Sequence, residues 1–134
     1  MSYESNIAVS EGFFAGEDRI LSYEVFSAGS ITTMEDVTSF LLQWDLRKVQ
    51  SGVDPFRAQG AVVVTKDRSS GITVTGTFNS ARVTNTQRVL VQITDVDTQA
   101  LPGGRYVCAL KRMDEGYEAV LSHGTVELLV AAVR

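Results

Sequence analysis

One cysteine, Cys108, and one histidine, His123, are all that the 134 residues hold of these two side chains. A lone cysteine excludes an intrachain disulfide and a thiolate metal cluster. The fold must therefore be stable without covalent help, which fits assembly in a reducing cytoplasm. No apolar run approaches the ~18–20 residues that span a bilayer, so no membrane partner is expected. The first residues, Met1 to Glu17, lack a basic start followed by an apolar stretch, so no signal peptide is expected. An excess of positive charge is missing too. Twelve Lys and Arg stand against 16 Asp and Glu, giving a net charge of −4 and a pI of about 4.9. Nucleic-acid binding needs a cationic surface that displaces counterions, so that class of partner is set aside. Weak acidity mainly favours solubility.

What is present is the composition of a folded domain. Hydrophobic residues make up 44% and charged residues 21%, an ordinary globular balance. The length suits one domain on a scale of roughly 100–200 residues each. Chains of this size hide roughly two-thirds of their unfolded surface, enough for a two-layer core.

The dominant pattern has period two, the signature of strands with one buried face. In Arg19–Phe26, Leu21, Tyr23 and Val25 share one face, and Ser22 and Glu24 share the other. In Phe40–Val49, Phe40, Leu42, Trp44 and Leu46 alternate with Leu41, Gln43, Asp45 and Arg47, which turns the only tryptophan inward. Val62 and Val64 mark the next run. Ile72, Val74 and Phe78 alternate with Thr73, Thr75 and Thr77, and Val89, Val91 and Ile93 with Arg88, Leu90 and Gln92. Tyr106, Cys108 and Leu110 form another inward set, and the runs Tyr117–Ser122 and Thr125–Val133 complete the series.

The intervening segments carry turn residues, including Ser27–Ser30, Ser51–Pro55, Lys66–Gly71, Pro102–Gly104 and Asp114–Gly116. Asp67–Gly71 and Asp114–Gly116 are short enough to close hairpins. One stretch breaks the alternation. Residues 94–101 can form a helical turn before Pro102, capped by Thr94 or Asp95, bridging strands of different sheets. The expected fold is a single antiparallel β-sandwich, Ig-like or jelly-roll-like, of about eight short strands. A partly closed barrel is the nearest competitor. Residues 1–17 are weakly patterned and read as an N-terminal arm or first edge strand, with the sandwich over 18–134.

Candidate chemistry is sparse. His123 follows Ser122 directly, and neighbours on a strand point to opposite faces, so the two would diverge. A turn or strand-end position accounts for this histidine. Asp95 and Asp97 lack the further ligands and glycine bend of a calcium loop. A glycosidase pair would have to flank a groove, and capping or Asx-turn roles account for these two instead. Pro102-Gly103-Gly104 lacks the lysine and following helix of a phosphate loop. Cys108 alternates with Tyr106 and Leu110 and reads as a buried apolar residue. Trp44 reads as an anchor between sheets. No catalytic residue, cofactor or metal site is expected. The interaction candidates are Phe13 and Phe14 in the weakly patterned N-terminal segment, where exposed aromatics act as hot spots. Leu128, Val130 and Val133 in the final strand join them.

Three pieces of the chain carry a resemblance. Gly16-Glu17-Asp18 leads into Ile20–Phe26, Asp36-Val37-Thr38 precedes Phe40–Arg47, and a longer block runs from Asp97 through Pro102-Gly103-Gly104-Arg105-Tyr106. That block continues through Leu110 and Asp114 to Leu121-Ser122-His123-Gly124-Thr125. From Gly12 to about Leu128 this order resembles a small β-sandwich domain of tailed-bacteriophage virion proteins, found also in the N-terminal parts of some baseplate proteins. The chain departs at Ser39, where that family often has glycine.

The resemblance implies a structural virion role and no catalysis. The leading expectation is a capsid decoration, or cement, protein on the outer head surface. It would bridge major capsid subunits and associate with copies of itself, as a trimer at local three-fold positions. A tail or baseplate adaptor is the alternative, and would be expected to carry a further module beyond the sandwich. A carbohydrate-binding surface module is the third, and needs an exposed aromatic platform that inward-facing Trp44 and Tyr106 do not supply.

Overall fold

Among the described residues, eight strands form two facing sheets. The computed structural model describes residues 12–14, 18–49 and 59–129. The strands are β1 (Gly12–Phe14), β2 (Arg19–Tyr23), β3 (Leu42–Val49), β4 (Gln59–Asp67), β5 (Ile72–Thr75), β6 (Arg88–Ile93), β7 (Gly104–Arg112) and β8 (Ala119–Leu129). One helical turn, α1 (Asp95–Thr98), lies between β6 and β7. A five-stranded sheet has the order β1-β8-β7-β3-β4, and a three-stranded sheet the order β2-β6-β5. Pairing is antiparallel throughout except that β1 runs parallel to β8. The all-β sandwich expected from the alternation is the fold.

The core lies between the sheets. Leu42, Trp44 and Leu46 of β3 and Tyr106, Cys108 and Leu110 of β7 face Leu21 and Tyr23 of β2 and Val89, Val91 and Ile93 of β6. Burying each large apolar side chain contributes roughly 1.5–3 kcal/mol, which makes this cluster the main source of stability. Trp44 is 0% exposed. Its indole Nε1–H donates to the Tyr23 hydroxyl at 2.9 Å, tying the two sheets together through a satisfied polar bond.

The segment 24–41 crosses between the sheets and fastens to what it meets. Val25, Phe26, Met34 and Val37 are buried along it. The Arg68 guanidinium donates to the carbonyls of Val37 (2.7 Å), Thr38 (2.8 Å) and Phe40 (3.0 Å). Three carbonyls of an irregular segment thereby gain a charged donor. Gly76 carries the turn after β5 with φ +82, where a Cβ would collide with the Thr86 carbonyl.

Helix α1 bridges the three-stranded sheet to the five-stranded one, as the 94–101 stretch implied. The Asp97 carboxylate accepts the Thr94 backbone N–H at 2.7 Å, and Asp18 accepts that of Asp95 at 2.8 Å. Both acids thus satisfy helix-start donors that would otherwise lack partners.

Four expectations are corrected. Asp67–Gly71 does not close a hairpin, because β4 pairs with β3 in one sheet and β5 with β6 in the other. The turn carries the chain across the sandwich instead. The runs 117–122 and 125–133 do not form separate strands. Ala119–Leu129 is continuous, with a register shift opposite Leu110 and Lys111. Val62 does not share the inward face of Val64, because a register shift between Leu46 and Arg47 leaves it 39% exposed. Phe78 lies beyond the end of β5 and is half-buried.

Candidate functional site

Three of the residues singled out as partner contacts, Phe13, Phe14 and Leu128, lie together at one sheet edge. Phe13 pairs in register with Leu128, and Phe14 with Leu129. Elements from the two ends of the sequence therefore lie side by side in parallel. Leu128 is 2% exposed and belongs to the core, so its side chain serves the fold and it leaves the set of contacts. It faces inward because β8 alternates in phase with β7, placing it on the side of Val126. Val130 and Val133 lie outside the described residues.

Three carboxylates, Asp45, Asp97 and Asp114, hold strands and loops together. Asp45 points to the outer face of β3, yet it is 2% exposed. Lys111 donates to it at 2.7 Å, Gln43 at 3.0 Å and Thr65 at 3.2 Å. Burial pushes this carboxyl up, and the three donors outweigh it, so its pKa lies below the ordinary value. Asp97 follows the same balance, with Lys66 at 2.7 Å and the Thr94 N–H as donors. Asp114 accepts from Arg112 at 2.8 Å and from the Leu41 N–H at 3.1 Å, and these bonds lower its pKa.

His123 stands mid-strand in β8, opposite Ala109, and not at a turn or strand end as its sequence context implied. Its side chain is exposed while that of Ser122 is buried, so the two diverge. Cys108 is buried, 4.0 Å from the Tyr23 hydroxyl, and burial pushes its thiol up to about 11. A thiol held protonated in this way is a poor nucleophile at neutral pH. Among the described residues, no group of three or more His, Cys, Asp or Glu is placed to hold a metal ion. Among the same residues, no helix is long and apolar enough to cross a membrane.

The alternation did not reveal two exposed apolar clusters. Leu41, Met113, Tyr117 and Val120 stand exposed around the β7–β8 turn and the start of β3. The Leu41 carbonyl accepts the Met113 N–H at 2.7 Å, which joins the two segments. Arg112 sits 3.7 Å from the ring centroid of Phe40 and 5.1 Å from that of Tyr117, a cation–π arrangement. Tyr117 is 68% exposed, whereas Trp44 and Tyr106 are buried. The second cluster is Ile31 and Val83 on neighbouring loops, 76% and 94% exposed. The only sequence signal for either set is an apolar residue out of phase with the alternation or inside a turn.

No protein-family model matches the chain, and no curated protein matches it. The arrangement described is a cross-tied sandwich in which Asp45, Asp97 and Asp114 are engaged internally, with exposed apolar side chains at loops and edges.

Proposed function

We propose that this chain is a non-enzymatic structural protein of a tailed-phage virion, a capsid decoration protein that binds the outer head surface and bridges major capsid subunits. The observation that supports this most is the parallel register of Phe13 and Phe14 with the end of β8. A head surface that binds this edge engages both an early and a late element of the chain. The cross-tied core supports the same reading, since a cement must resist deformation while its neighbours move. Repetition supplies the strength. Many copies with modest contacts hold one another in place, because each bound neighbour raises the effective concentration of the next contact. Symmetric self-association is the usual way to arrange such copies.

The test is location on the particle. DNA-filled heads and isolated tails are separated, and this protein is sought in each by mass spectrometry. Recovery with heads, in stoichiometry to the major capsid protein, is the expected result. Recovery with tails alone would replace the decoration reading by the adaptor one. Absence from both would end the virion reading.

A further inference from the structure

We infer that residues 36–41 form a latch that opens as one unit while both sheets stay paired, and that the Arg68 guanidinium is the pin that keeps it shut. The segment lies outside the paired strands. Among the described residues, a single backbone-to-backbone bond joins it to the rest of the fold, the Met113 N–H donating to the Leu41 carbonyl at 2.7 Å. Side chains from three separate places supply further ties. Gln87, just before β6, accepts the Val37 N–H at 3.1 Å and donates to the Asp36 carboxylate and the Thr38 hydroxyl at 3.0 Å each. Asp114, in the turn after β7, accepts the Leu41 N–H at 3.1 Å. Arg68, in the turn after β4, holds the Val37, Thr38 and Phe40 carbonyls. Within the segment the Phe40 N–H donates to the Val37 carbonyl at 3.0 Å, a turn that can move as a body.

Such a segment can let go without disturbing a ladder. A central strand opens only by breaking backbone bonds to both neighbours, whereas these ties end on side chains that can rotate away. Opening uncovers two core side chains, Val37 and Phe40, and leaves the pairing of β3 with β4 and β7 intact. That is a small part of the apolar surface that global unfolding exposes, so the latch opens at a lower free energy than the whole. Once open, it presents Val37 and Phe40 beside Leu41, which is already 58% exposed. Arg68 is the pin because its planar fork gives a charged donor to three carbonyls at once. A lysine ammonium is a compact point charge on a flexible stem and does not reproduce that geometry. Arg68 is itself exposed, so replacing it leaves no hole in the core.

The test is native-state hydrogen exchange, read residue by residue by NMR in urea concentrations below the unfolding transition. It uses the purified chain and is independent of where the protein resides. The Val37, Phe40 and Leu41 amides should exchange through one shared opening, with a weaker urea dependence than the amides of β3 and β7 and at least about tenfold less protection. Arg68→Lys keeps the charge and should lower the protection of all three by a further factor of about ten. The β3 and β7 amides should change only as far as the urea midpoint of global unfolding does. Latch amides that exchange only with global unfolding overturn the inference. So do three amides with unrelated urea dependences, which would mean separate fluctuations and no common unit. An Arg68→Lys chain whose latch amides are unchanged, or whose whole fold is lost, removes the pin.

Discussion

Trp44 and Asp45 are consecutive on β3, and both are almost fully buried, but they are buried in opposite ways. Trp44 faces the gap between the sheets. Its polar partners there are neutral, the Tyr23 hydroxyl at 2.9 Å and through it Cys108 at 4.0 Å. Asp45 faces outward, and its partners are the Lys111 ammonium and two neutral donors. The inner set spans both sheets, and the outer set spans β3, β4 and β7 of one sheet. The difference follows from access to water. Between the sheets a charge would lose its hydration with nothing to replace it. On the outer face Lys111 lays its stem over the carboxylate and keeps a quarter of its side chain exposed, so the pair is only partly desolvated.

The largest effect should come from breaking the inner set. Trp44→Ala leaves a cavity in the centre of the core and should cost about 3–5 kcal/mol in urea-induced unfolding. Trp44→Phe keeps much of the volume but removes the donor to Tyr23, and should cost about 1–3 kcal/mol. If the two variants were equally stable, the inter-sheet hydrogen bond would carry the effect and packing would not.

The outer set should respond less, and asymmetrically. Asp45→Ala frees an ammonium that can swing into water, at a cost of about 1–2 kcal/mol. Lys111→Ala strands a buried carboxylate and should cost more, about 2–4 kcal/mol. The comparison also has an acid arm. Asp45 and Asp97 titrate below their ordinary values, so the stability they supply is complete above an unfolded pKa of about 4. It is lost as pH falls from there through the lowered native values. Lys111→Ala should flatten this acid limb, measured as the urea midpoint against pH. An unchanged limb would remove Asp45 from the account.

The inward faces were legible because period two is a local property. Leu21, Tyr23, Trp44, Val91 and Cys108 all face the core as the alternation requires. Which strands share a sheet was not legible. Asp67–Gly71 has the composition of a hairpin turn, but the strand that follows it, β5, pairs with β6 in the other sheet and not with β4. The partner that decides this, β6, lies further along the chain and leaves no mark on the turn itself. His123-Gly124 looks like a turn and instead continues β8, where Gly124 takes an inward position opposite Cys108. Register shifts near Val62 and Leu121 change which residues face out without any compositional mark. Of the candidate contacts, the sequence pointed to Phe13, Phe14 and Leu128 as separate segments. Their adjacency is a product of the parallel pairing of β1 and β8, and no local pattern encodes it.

The smallest predicted effect is the most specific to the inner set. Burial raises the Cys108 thiol from 9.0 to about 11 and raises the Tyr23 phenol well above 10.0. Both groups are therefore harder to ionise in the native state than in the unfolded one. Well below pH 9 the thiol is protonated in both states, and the stabilisation linked to Cys108 is complete. Between pH 9 and about 11 the unfolded chain ionises while the native thiol stays protonated, so stability falls as pH rises. Tyr23 begins to add its own loss only above about pH 10. Cys108→Ala should abolish the decline that starts near pH 9 and leave the later one, whereas Tyr23→Phe should do the reverse. Denaturation midpoints at half-unit steps of pH separate the two. The Asp45 carboxylate is ionised in both states throughout this range and adds nothing to either decline. If Cys108→Ala declined as steeply as the native chain between pH 9 and 10, the thiol would have to be open to solvent, and the neutral character of the inner set would no longer hold.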